Sequence, residues 1–198
     1  MFKQRRRVVV ETPVEGTLFV SPNGSDDNDG KTIKTAFRTI TGADRHVKPG
    51  YTVIVLRGTY IYPVSTRTDG QARKRILWKS AQASIVVPPG DVVVWNNIAS
   101  FVDILGFRIA GGRVGLRNLG HKVTIVDCDF HDIGWRCTTE GGCGVYSGGQ
   151  GCTIHGCSFS NIGVFDPDCK TYHGMVAAGA VVSDNAFERI SGAPIKWL

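Results

Sequence analysis

VTIVDCDFHDIG (123–134), CTIHGCSFSNIG (152–163) and AVVSDNAFERIS (180–191) align with one another without gaps, and this alignment decides the fold. A weaker copy, VDILGFRIAG, begins at Val102. Ile104, Ile125, Ile154 and Val182 share one column. Phe107, Cys128, Cys157 and Asn185 share a second, Phe130, Phe159 and Phe187 a third, and Ile133, Ile162 and Ile190 a fourth. Successive copies are 21, 29 and 28 residues apart, a period typical of repeat architectures. Within a copy the pattern Val-x-Ile-x-x-Cys-x-Phe alternates as a strand does, with a bend between Ile125 and Cys128 that returns the chain to the same interior. A unit this small cannot bury its apolar face alone. Stacked at the inter-strand spacing of ~4.8 Å, the copies build ladders of Ile on Ile, Phe on Phe and Cys on Cys.

A second series of short strands lies between the copies: VGLRNLG from Val114, GVYSGG from Gly144 and HGMVAAG from His173. Gly-, Asp- and Asn-bearing turns separate them. The expected fold is therefore all-β, a right-handed single-stranded parallel β-helix over residues 17–198. A leucine-rich repeat is excluded, because its Leu-x-x-Leu-x-Leu period is absent. Ahead of the repeats, TAFRTITGADRHV (35–47) spaces Phe37, Ile40, Ala43 and Val47 helically, with Thr35 as the expected N-cap. This short helix is expected to cover the open end of the first rung, within a cap spanning about residues 17–60. DDNDG (26–30) lacks the spacing of a calcium loop and reads as a turn.

Of the 198 residues, 42% are hydrophobic and 20% charged, which supports a packed core and excludes general disorder. The formal charge of +6 is partly local. Lys3, Arg5, Arg6 and Arg7 mark residues 1–16 as a basic arm, and Arg67, Arg73, Lys74, Arg75 and Lys79 form a second group that reads as solvated surface. Such charge favours acidic partners: polyuronates, nucleic acid, anionic lipid or an acidic protein surface, of which nucleic acid has only the arginine arm and no binding motif behind it. No apolar run is long enough to span a membrane. Val8–Val10 is too short for a secretory core, so synthesis in the cytosol is expected unless a leader has been removed. All six cysteines fall between 128 and 169 without a CxxC pair. Cys128 and Cys157 read as interior, and Cys137 and Cys143 flank a loop that a disulfide could close.

LFVSPNGSDDNDGKTIKTAFRTITGADRHVKPGYTVIVLRGTY (18–60) resembles the opening segment of the pectate-lyase-like right-handed β-helix superfamily, and the later rungs are similar to those of that superfamily. Tyr51 stands where that pattern usually has Asp. The resemblance implies a fold and leaves function open between two classes. The preferred class is a structural or adhesive β-helix. It would be a virion component of the phage tail-spike, fibre or capsid-decoration type that binds polysaccharide, needs no cofactor and forms a homo-oligomer, most simply a trimer covering the strand-like Ile195–Leu198 edge. The alternative is a calcium-dependent polysaccharide lyase. There Asp127 and Asp129 would hold Ca²⁺, and Lys170 or Arg117 would take the proton beside a uronate carboxylate. Asp166 and Asp168 are the carboxylate candidates for glycoside hydrolysis. Tyr146, Tyr172, His155 and His173 are the candidates for contact with sugar, as Trp78, Trp95, Trp135 and Trp197 are for stacking.

Overall fold

The computed structural model describes residues 16–137, 139–165, 168–169 and 171–198. Residues 1–15 of the expected basic arm, Asp166 and Lys170 lie outside the described residues. β1 (Gly16–Val20) and α1 (Ile40–Asp44) open the chain. Six rungs follow. The first is β2 (Tyr51–Val55), β3 (Gly58–Tyr60) and β4 (Val64–Thr66), and the second is β5 (Ile76–Ser80), β6 (Ala83–Val87) and β7 (Val93–Asn97). The third is β8 (Val102–Leu105), β9 (Arg108–Gly111) and β10 (Val114–Asn118), and the fourth is β11 (Thr124–Val126), β12 (Asp129–Ile133) and β13 (Gly142–Ser147). The fifth is β14 (Thr153–His155), β15 (Ser158–Ile162) and β16 (Tyr172–Ala177), and the last is β17 (Val181–Ser183), β18 (Ala186–Ile190) and β19 (Ile195–Trp197).

Each rung gives one strand to each of three parallel sheets. Sheet one runs β1-β2-β5-β8-β11-β14-β17, sheet two β3-β6-β9-β12-β15-β18 and sheet three β4-β7-β10-β13-β16-β19. The register is the one the repeats dictate. Ile125 pairs with Ile104 and Ile154, and Ile154 with Val182. Phe159 pairs with Phe130 and Phe187, and Ile162 with Ile133 and Ile190. The phenyl rings stack, 5.1 Å apart from Phe130 to Phe159 and 4.9 Å from Phe159 to Phe187. Phe107, Cys128 and Cys157 are buried as one interior column.

The bend between sheets one and two is a single left-handed residue. Gly106, Asp127, Gly156 and Asp184 occupy it with φ of 76°, 50°, 66° and 54°. Glycine enters this region freely, and Asp tolerates it better than most residues. The corner between sheets two and three needs glycine for a different reason. A Cβ on Gly144 would sit 2.7 Å from the Gly174 carbonyl oxygen and 2.7 Å from the Phe159 ring, and Gly115 and Gly174 face the same obstruction from their own neighbours. At the third corner a polar ladder runs through the interior. Thr66 Oγ1 donates to Asn97 Oδ1 (2.7 Å), and Asn97 Nδ2 donates to Asn118 Oδ1 (2.8 Å). The Trp95 indole N–H donates to Thr66 Oγ1 (2.9 Å), so these buried groups satisfy one another.

The capping helix is shorter than its spacing predicts. Its N-cap is Thr39, whose hydroxyl accepts from the Gly42 N–H at 2.8 Å, and not Thr35. Phe37 is drawn out of the helix because its backbone is extended beside β1, donating to the Phe19 carbonyl and accepting from the Ser21 N–H. Ile40, Ala43 and Val47 still pack into the common core with Leu18 and Val20. The DDNDG segment is a turn: Asp26 accepts from the Arg38 and Thr39 backbones, and Asp29 from that of Lys31.

Arg75 corrects the reading of its group as solvated surface. Its Nε lies 3.0 and 2.9 Å from the two Asp103 carboxylate oxygens, and its Nη2 lies 2.6 Å from Oδ1. Nη2 also donates to the Val102 and Lys122 carbonyls at 3.0 and 2.7 Å. One guanidinium thus ties three rungs together. No helix among the described residues is long and apolar enough to cross a membrane.

Candidate functional site

The outer face of sheet three carries a groove of about 640 Å³. Its floor follows from strand alternation. Leu116, Val145 and Met175 point into the core, and the residue after each points out. This yields an outward column of Asn96, Arg117, Tyr146, Val176 and Lys196, one residue per strand from β7 to β19. Val93, Val114, Cys143 and His173 form a parallel column beside it. One wall comes from the long corner loops that follow β12 and β15, with Thr139, Glu140 and Thr171 facing the groove; Leu119 and Leu198 stand among the other lining residues.

The loops of that wall are joined by a Cys137–Cys169 disulfide, and not by the Cys137–Cys143 bridge that the sequence left open. Cys143 is a free thiol in the groove floor, and burial pushes it up to about 12, so it carries no thiolate at neutral pH. Arg113 is committed to the wall. It meets Asp91 at 2.6 Å and Glu140 at 3.6 Å, and donates to the Gly141 carbonyl at 2.7 Å. Arg117 is exposed and steadied by one bond, Nε to Asn96 Oδ1 at 3.0 Å, which leaves the rest of its guanidinium to the groove.

Partial burial first, and the Lys196 charge second, hold the His173 imidazole below its ordinary value of 6.5. The Ala193 N–H donates to Nδ1 at 3.1 Å, so the ring is neutral with its proton on Nε2. The unfolded chain therefore protonates His173 at a higher pH than the folded chain does. The stability this gives is complete above pH 6.5 and is lost as pH falls through the folded value. His173→Asn, which keeps an acceptor for Ala193 without titrating, should flatten the decline in urea midpoint between about pH 7.5 and about pH 5. Identical pH profiles for the two proteins would contradict this account.

The groove brings together Arg117, Tyr146 and His173 from the residues singled out in the sequence. It does not gather the others. Tyr172 is fully buried. Its ring lies over Gly142, and its hydroxyl donates to the Arg136 carbonyl at 3.1 Å, so the expectation that it meets sugar is corrected. Trp78 and Trp95 are likewise buried, in edge-to-face contact, whereas Trp135 and Trp197 are exposed. His155 lies on sheet one, 2.9 Å from Ser183 Oγ and 3.4 Å from Asp184. Asp127 forms the left-handed bend, and Asp129 on sheet two accepts from Ser158 Oγ at 2.8 Å and faces Arg108 at 3.4 Å. Among the described residues no three His, Cys, Asp or Glu side chains converge as a metal site. Asp168 stands in the loop after β15, next to the disulfide.

Sequence reasoning missed Lys196 as a site residue. The signal was present: aligning VGLRN, CGVYS, HGMVA and PIKW places Arg117, Tyr146, Val176 and Lys196 in one column. The strand ends on this sheet had to be known before that column could be read as outward.

No protein-family model matches the sequence. Over 76 residues the chain is 37% identical to "Uncharacterized protein YwoF" of Bacillus subtilis (strain 168), a stretch that is 38% of this chain and 16% of that protein. Among solved structures it is similar to pectate lyase Pel9A, with a TM-score of 0.67 at 18% identity over 87% of this chain and 46% of that one. It is similar to rhamnogalacturonan lyase with a TM-score of 0.68 at 20% identity over 88% and 50% of the two chains. The chain thus spans about half the length of these structures. Three parallel sheets, single-residue bends and these two likenesses together establish its architecture as the pectate-lyase-like right-handed parallel β-helix.

Proposed function

We propose that the sheet-three groove binds a linear acidic polysaccharide. The observation that carries this reading is the outward column itself: a guanidinium, a phenol and an ammonium in line along an open trough. Cations meet uronate carboxylates, and an aromatic ring meets the C–H face of a pyranose. A glycan lying along the helix axis crosses the strands, and each rung offers it a fresh side chain. Two proteins of similar fold are named as a pectate lyase and a rhamnogalacturonan lyase, which supports a polysaccharide as the ligand class.

Binding of polygalacturonate or alginate should exceed binding of dextran and weaken as salt is raised. Arg117→Ala should weaken it about tenfold, the worth of one charge-assisted contact. Calorimetric titration gives both, and equal affinity for dextran and the polyuronates would sink the reading. The variant also separates the groove from the remaining positive charge of the chain.

Lyase action on the same ligand is the second reading, favoured by the names of the two similar structures and by the place of Arg117 in the groove. Unsaturated uronide absorbance during the same titrations tests it. The virion setting finds no support in the groove or in the similar proteins. Self-association is a separate proposal that mass measurement in solution checks.

A further inference from the structure

We infer that the groove recognises its acidic glycan by two charges, on the first and fourth sugars of a four-sugar stretch; this rests on the polysaccharide-binding reading above. Arg117, Tyr146, Val176 and Lys196 occupy successive strands β10, β13, β16 and β19 at one register position. Three inter-strand steps of ~4.8 Å separate the two cations by roughly 14 Å. A sugar residue in an extended glycan advances by about one such step. A chain seated with one carboxylate on Arg117 therefore places its second ring at Tyr146, its third at Val176 and its fourth at Lys196.

The two inner positions offer a phenol and an isopropyl group and no cation. The nearby Arg113 does not change this, because Asp91 and Glu140 already answer its charge. His173, in the next column, is neutral and bound to the Ala193 backbone. Among the described residues, Arg117 and Lys196 are the groove cations with no ion-pair partner. The Asn96 contact holds Arg117 at its end of the line. Charge is therefore read at the two ends of the stretch, and the middle is read by shape.

The test uses the full chain with oligogalacturonates and oligomannuronates of two to five residues. Affinity should step up about tenfold between the trimer and the tetramer and change little from tetramer to pentamer. Arg117→Gln and Lys196→Gln should each remove that step, while the folded-state circular dichroism stays unchanged because both side chains are exposed. Tetragalacturonate methyl-esterified on its two inner residues should bind within about twofold of the free acid, and esterification of the two outer residues should cost about tenfold. A smooth rise of affinity with length in both series, or equal sensitivity to inner and outer esters, overturns the inference while polymer binding still upholds the groove. Loss of all binding to polymer and oligomers overturns both.

Discussion

Phe159→Ala should lower the unfolding free energy by about 3–5 kcal/mol, the range for emptying a fully buried aromatic site. The ring is 1% exposed and stacked on both sides, by Phe130 and by Phe187. It also packs at the glycine corner, against the backbone of Gly144. Neighbouring rungs cannot collapse into the space, because their spacing is fixed by the hydrogen bonds of three sheets at once. Phe187→Ala should cost less, since Phe187 is only partly buried on the last rung. Ile33→Ala, at a residue 62% exposed, should stay within about 0.5 kcal/mol. Urea unfolding followed by far-ultraviolet circular dichroism compares the three. A loss under about 1 kcal/mol for Phe159→Ala would mean that the rungs do not stack in this register.

Arg75→Met should destabilise the fold by a similar amount, about 3–5 kcal/mol, through electrostatics and not through volume. The Asp103 side chain is 3% exposed, and Arg75 is its ion-pair partner at 2.6 Å. Removing the guanidinium leaves a buried carboxylate without its counter-charge and frees two carbonyls on two further rungs. The double variant Arg75→Met, Asp103→Leu should recover most of the loss, since well-packed apolar replacements of buried ion pairs are often neutral or better. A double variant as unstable as Arg75→Met would show that the carbonyl bonds, and not the carboxylate, carry the effect. Thermal and urea midpoints of the three proteins decide between these outcomes.

The rungs were legible in the sequence because parallel stacking puts chemically similar residues at equal offsets. Ile125 on Ile154 and Phe130 on Phe159 could be placed without any knowledge of strand ends. The bend between Ile125 and Cys128 was legible in the same way, and Asp127 fills it in the column that Gly106 and Gly156 share. Features that depend on where a strand begins were not legible. Tyr172 is the first residue of β16, and its burial depends on Gly142 leaving room for the ring on the strand below. Thr35 precedes a helical spacing, but Phe37 is claimed by β1, so the cap moves to Thr39. Arg75 sits in a run of basic residues whose composition says surface, and only the third dimension shows Asp103 beneath it. The groove was half visible: Arg117, Tyr146 and His173 were singled out, yet nothing local joined them to Lys196.

The unequal repeat lengths have a consequence for how such a molecule changes. Between β9 and β10 the chain turns in Gly112 and Arg113, whereas it takes residues 134–141 between β12 and β13 and 163–171 between β15 and β16. Among the third, fourth and fifth rungs most of the difference is therefore confined to one vertical seam beside the trough, and the hydrogen-bonded prism is indifferent to it. Exchange of those two loops would reshape the trough wall while every buried column kept its place. The shape of the trough and the folding of the prism can thus drift independently in this chain.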